Sequence, residues 1–124
     1  MLSAEQNDRL THTGSGTPAG RLMRCYWQPA ALVDELSGQR PVKPVRLLGE
    51  SLVVFRDRRG RYGLMERSCP HRGTDLAFGR LEEGGLRCSF HGWLFDVAGR
   101  CLETPAEPED SRMHANIRQK AYPV

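Results

Sequence analysis

Two short stretches hold the residue types that bind soft metals. The first is Cys69-Pro70-His71-Arg72-Gly73. The second is Cys88-Ser89-Phe90-His91-Gly92-Trp93, and sixteen residues, 72–87, lie between His71 and Cys88. The pattern is C-x-H followed by C-x-x-H, so each stretch offers one thiolate and one imidazole. A Cys and a His this close on one loop do not easily reach the same metal atom, but they can reach the two irons of a dinuclear cluster, one each. Two cysteines on one iron and two histidines on the other is a known ligand set for a [2Fe-2S] cluster. Cys69 and Cys88 would hold the inner iron, and His71 and His91 the outer iron nearer solvent. Gly73 and Gly92 would let the backbone turn tightly against the cluster, and Pro70 stiffens the first loop.

Two other chemistries use the same residues. A structural zinc site pairs its ligands as C-x2-4-C and H-x3-5-H and converges four of them on one ion, which C-x-H with C-x-x-H matches poorly. A Cys69–Cys88 disulfide would suit a secreted chain. The N-terminus Met1-Leu2-Ser3-Ala4-Glu5-Gln6 has neither the charged nor the apolar region of a secretion signal, so metal binding or free thiols are the better reading of the cysteines.

The two boxes resemble those of Rieske ring-hydroxylating oxygenases. Two further stretches extend the similarity to the phthalate dioxygenase-like oxygenase component. Gly16-Thr17-Pro18-Ala19-Gly20-Arg21-Leu22-Met23-Arg24 with Tyr26-Trp27-Gln28-Pro29 resembles its N-terminus. Pro44-Val45-Arg46-Leu47-Leu48-Gly49-Glu50 with Leu52-Val53-Val54-Phe55-Arg56 resembles its first strands. The similarity runs from about Leu10 to Val124. It implies a Rieske-type [2Fe-2S] cluster on Cys69, His71, Cys88 and His91, a reductase as electron donor, and a catalytic domain or oxygenase subunit as acceptor. It also admits a homo-oligomer in the full-length form, with the N-terminal helix against a neighbouring subunit.

High-potential Rieske proteins of respiratory chains carry an extra Cys in each cluster loop, and these form a disulfide. The matching positions here are Thr74 and Phe90. Those proteins also place a Ser after the second His-Gly, whose hydroxyl donates to a cluster sulfide; here the position is Trp93. Fewer donors stabilise the reduced cluster less, so a potential at the low end of the range is expected, about −150 mV. In the resembled oxygenases the chain continues into a domain holding a mononuclear non-haem Fe(II). His12 and His114 lie far apart and in no second-iron motif, so residues 1–124 are expected to lack that catalytic domain and to be incomplete at the C-terminus of the Rieske domain. A stand-alone Rieske-type ferredoxin is the alternative. The short length favours it; the Gly16–Pro29 stretch favours the oxygenase.

Around the boxes the pattern is that of short strands. The expected fold is all-β: a Rieske-type antiparallel β-sandwich with two cluster-binding loops, preceded by a short N-terminal helix. Residues 1–16 are polar and end in Gly14-Ser15-Gly16, which suggests a flexible arm, with residues 17–124 as the Rieske domain. Thr17-Pro18 reads as an N-cap and first helical residue, and Pro29 ends the helix. Leu22, Met23, Tyr26 and Trp27 give one apolar face at helical spacing, so Tyr26 and Trp27 are expected in the core, with Cys25 a buried small residue beside that face. Residues 30–44 are a connector. Strands follow at Val45–Leu48 and Leu52–Phe55, and the return strand begins at Tyr62–Met65. Asp57-Arg58-Arg59-Gly60 and Val97-Ala98-Gly99-Arg100 are hairpin turns. Further strands are Leu86–Ser89, Leu94–Asp96 and Cys101–Glu103, with the start of another from Ile117.

Composition excludes several classes. Among 124 residues, 18 basic against 15 acidic side chains give a charge of only +3, and no basic run alternates with aromatics, so nucleic acid is not an expected partner. Mean hydropathy is −0.54, and no apolar run approaches a membrane span. A cytoplasmic location is expected, where thiols stay reduced and clusters are assembled.

Overall fold

The computed structural model describes all 124 residues. Two helices come first, α1 (Ala4–Thr11) and α2 (Pro18–Met23). Eight strands follow: β1 (Val42–Leu47), β2 (Glu50–Arg56), β3 (Tyr62–Glu66), β4 (Arg80–Leu81), β5 (Leu86–Arg87), β6 (Leu94–Phe95), β7 (Cys101–Glu103) and β8 (Ala121–Tyr122). They form two four-stranded antiparallel sheets, ordered β1-β2-β3-β8 and β4-β5-β6-β7. The all-β expectation holds, with two helices rather than one ahead of the strands. The second half of the chain returns to close the first sheet, because β8 pairs with β3.

The apolar run Leu52-Val53-Val54-Phe55 shows why β2 is central. Its alternate side chains enter two cores. Val53 and Phe55 join Met65, Leu76, Leu86, Trp93, Phe95 and the three buried cysteines in the main core between the sheets. Leu52 and Val54 join Leu64 and Leu36 in a smaller core on the outer face. The connector supplies that cover: it contains a 3-10 helix at Val33–Leu36 and places Leu36 over the sheet. The β1–β2 turn is Leu48-Gly49, both at positive φ (+49° and +83°), the backbone of a two-residue hairpin that follows strand twist.

Two longer hairpins use one device twice. In Asp57-Arg58-Arg59-Gly60-Arg61, the Asp57 carboxylate accepts from the Arg59 and Arg61 N–H groups, both at 2.9 Å. In Asp96-Val97-Ala98-Gly99-Arg100, Asp96 accepts from Ala98 and Arg100 at 2.9 and 2.8 Å. The shared D-x-x-G-R motif turns the chain because an Asp side chain can replace a missing backbone partner. Each arginine then pairs with its aspartate.

The N-terminal region departs from expectation. Residues 1–16, expected as an arm, hold α1. Ser3 accepts from the Gln6 N–H at 3.2 Å and the Gln6 side chain accepts from the Ser3 N–H at 2.8 Å, a closed capping box. No α1 side chain is buried. Helix α2 starts at Pro18 with Thr17 as its cap, as the sequence indicates. Tyr26, Trp27 and Cys25 are not core residues. Tyr26 is 68% and Trp27 79% exposed, and Cys25 is exposed too. The helix ends at Met23, and the chain beyond it runs along the outside of the first sheet, so the apolar face read from the spacing never turns inward.

Candidate metal centre

The two boxes sit where chain leaves the sheets. The first follows β3, and the second connects β5 to β6. Both are built on one backbone pattern. In the first, the Cys69 N–H donates to Thr74 O at 2.9 Å and the Gly73 N–H to Cys69 O at 2.8 Å; in the second, Cys88 donates to Trp93 O at 2.8 Å and Gly92 to Cys88 O at 3.2 Å. Each glycine follows its cysteine by four positions, at φ +72° and +74°, a conformation that side chains resist. The loops are two copies of one turn, and only the histidines break the repeat. His71 is the third residue of its loop and His91 the fourth, yet their Nδ1 atoms lie 3.2 Å apart. Two imidazole nitrogens at that distance can share a proton, or both can bind one ion.

Burial divides the four residues. Cys69 (3% exposed) and Cys88 (5%) belong to the main core, while His71 is exposed and His91 half-buried. Burial pushes the Cys69 thiol up to about 11. The N–H groups of His71 and Arg72 pull it down, and the adjacent Cys88 thiol adds to the rise. A bound metal overcomes that preference, because a coordinating thiol is deprotonated outright. All four cysteines are free, so no disulfide joins Cys69 to Cys88. No three His, Cys, Asp or Glu side chains are grouped around a single ion position, as a structural zinc site would require. Two thiols inside and two facing imidazoles outside fit a dinuclear group with mixed ligation.

An arginine ahead of each cysteine closes its loop. Arg67 makes a two-pronged pair with Asp75 across the first loop, with Nε to Oδ1 at 2.8 Å. Asp75 also caps the 3-10 helix Leu76–Phe78 through the Ala77 N–H at 2.9 Å. Arg87 is more deeply set. Its guanidinium donates to both Glu82 oxygens at 2.7 Å, to Glu103 at 2.6 Å and to the Gly92 carbonyl at 2.6 Å. Gln119 adds a tether, donating to the carbonyls of Glu66 and Ser68 at 2.7 Å each. Nothing in the two boxes announced the Arg87 hub. The available signal was an arginine directly before Cys88 with acidic residues at 82 and 103.

These pairs carry a pH signature. The Arg87 hydrogen bonds hold the Glu82 carboxyl at about 2, against about 4.3 in an unfolded chain. Glu50 is also at about 2. Burial, the largest single influence on it, raises its pKa, but hydrogen bonds from Lys120, Tyr122 and Arg24 together outweigh that. A depressed carboxyl stabilises the fold above its unfolded pKa and loses that contribution as pH falls through the folded value. Stability should therefore decline from about pH 4.3 towards pH 2. Urea unfolding followed by circular dichroism over that range checks this: the slope should flatten in Glu82→Gln, and an unchanged slope would remove Glu82 as its source.

The remaining singled-out residues lie apart from this centre. His12 faces Asp8 at 3.0 Å on the exposed side of α1, and His114 lies in the 3-10 helix Met113–Asn116. Cys101 is buried and donates to Glu103 O at 3.4 Å. Trp93, the residue after the second His-Gly, lies against His71 with parallel rings, 4.3 Å between centroids and 7° between planes.

The fold and the paired loops define a Rieske-type iron–sulfur domain, and comparison with known proteins agrees: residues 26–123 match the Rieske [2Fe-2S] domain model, and the chain belongs to that family. It is 51% identical, over its full length, to the 5,5'-dehydrodivanillate O-demethylase oxygenase subunit of Sphingobium sp. (strain NBRC 103272 / SYK-6), covering 30% of that protein. It is 44% identical to the phthalate 4,5-dioxygenase oxygenase subunit of Pseudomonas putida, over 98% of this chain and 28% of that one. Among solved structures, Pseudomonas putida CBB5 NdmA with caffeine superposes with a TM-score of 0.73 at 31% identity, over 83% of this chain and 30% of that one. The chain spans under a third of the length of each of these relatives. No helix is long and apolar enough to cross a membrane.

Proposed function

We propose that this chain is the electron-transfer domain of an aromatic ring-hydroxylating oxygenase, with Cys69 and Cys88 as ligands of the inner iron and His71 and His91 as ligands of the outer iron. The observation that carries this reading is the paired Nδ1 atoms of His71 and His91, 3.2 Å apart at the surface above two buried thiols. When bound, the cluster supplies reversible uptake of one electron. The chain does the rest. The buried cysteines keep water from the inner side, the glycine turns hold the loops close, and the arginine pairs fix the loop ends. The exposed His71 ring offers the edge through which a partner exchanges the electron.

The donor on this reading is a flavin- or ferredoxin-type reductase. The acceptor is a mononuclear non-haem iron in a catalytic portion outside residues 1–124, in the same or a neighbouring subunit. Residues 17–124 are the working domain, in the cytoplasm. A stand-alone Rieske-type ferredoxin is less well supported: the similarity to oxygenase subunits includes the helical N-terminal region as well as the strands. Anaerobic mixing of the loaded protein with a reductase and NADH tests the reading. One electron per chain should be taken up, seen as bleaching in the visible spectrum. With oxygen and candidate aromatic acids, no hydroxylated product should form. Substrate-dependent turnover by these residues alone would contradict the relay reading.

A further inference from the structure

The ring of Trp93 belongs to the second loop by sequence and to the first by contact. Its carbonyl accepts from the Cys88 N–H, so its backbone closes the second loop. Its side chain crosses over and stacks on His71, 4.3 Å away and within 7° of parallel. Only 8% of Trp93 is exposed, and its other neighbours are core residues: it lies in the same cluster as Cys69 and Cys88, and its ring is 6.5 Å from that of Phe95 at a tilted angle. Apart from its contact with His91, His71 is an exposed side chain. The second aromatic contact is different in kind. Phe90 lies 3.9 Å from its own neighbour in sequence, His91, tilted by 36°, and is 61% exposed. It does not join the loops.

We propose that Trp93 is a positioning residue: it locks the His71 imidazole from the opposite loop, so that His71 faces His91 before metal arrives and stays on the metal afterwards. This rests on the reading of His71 as a ligand. The physical reason is preorganisation. A ligand held in place by its surroundings does not have to be ordered on binding, and it does not swing away between dissociation and rebinding. The flat face of the indole fixes both the height and the plane of the imidazole, which an aliphatic side chain of similar volume does not.

The test compares Trp93→Phe, which keeps an aromatic face, with Trp93→Met, which keeps apolar volume without one. Each variant of the chain is loaded anaerobically with iron and sulfide and challenged with a chelator. Loss of visible absorbance gives the cluster half-life, and EPR of the reduced form reports the ligand geometry. For Trp93→Phe, a half-life within about threefold of the unsubstituted protein and an unaltered spectrum are expected. For Trp93→Met, a half-life about tenfold shorter or more and altered g anisotropy are expected; failure to retain any cluster lies at the same end. Equal behaviour of the two variants, whether both intact or both impaired, would overturn the proposal and make Trp93 a space-filling core residue. Failure of the underlying reading looks different: the unsubstituted protein would then hold no mixed-ligand cluster at all.

Discussion

Cys69→Ser and Cys88→Ser should each abolish assembly of the cluster, with iron and sulfide falling to background. The thiolate is the ligand that the inner iron needs, and a serine hydroxyl does not supply it. Both positions are buried in the main core, so an exchange there also leaves a polar group without a metal partner. The same exchange at Cys25 or Cys101 should leave the cluster spectrum unchanged. Cys25 is exposed on the chain after α2, and Cys101 points to the Glu103 carbonyl rather than to the loops. Iron content and visible absorbance of the four variants, prepared together, check this. Loss of the cluster in Cys101→Ser would mean that the wrong thiols have been assigned.

Arg87→Leu should cost about 1.5–3 kcal/mol of stability and release the second loop. Its side chain is only 13% exposed, and removing it leaves Glu82 with Arg80 alone, Glu103 without its cation and the Gly92 carbonyl without its donor. Arg100→Leu is the comparison. Arg100 also pairs with a carboxylate, Asp96, but its side chain is 61% exposed, and such pairs contribute about 0–1 kcal/mol. Denaturant midpoints separate the two cases. Equal midpoints would show that the hub is an ordinary surface ion pair.

The two paired loops were legible because their pattern is local. C-x-H and C-x-x-H with their glycines describe two turns whose hydrogen bonds close within five residues. Most hairpins were legible for the same reason, down to Gly60 and Gly99 at positive φ. Helix α1 was missed although Ser3 and Gln6 stand at capping-box spacing, because no apolar stripe follows them. Tyr26 and Trp27 were misplaced because spacing shows a shared face and not what covers it. Leu36 was passed over in a connector for the same reason: its burial depends on β2, sixteen or more residues away. Arg87 and the Trp93–His71 stack are tertiary contacts between segments that only the fold brings together.

The central claim is a cluster with two thiolate and two imidazole ligands. Iron, zinc and acid-labile sulfide, measured on anaerobically prepared protein together with EPR of the dithionite-reduced form, test it most directly. The account predicts two irons and two sulfides per chain, as the family's [2Fe-2S] cluster requires, with an average g below the value for all-cysteine ligation. Zinc in place of iron, or an average g at the all-cysteine value, would contradict it.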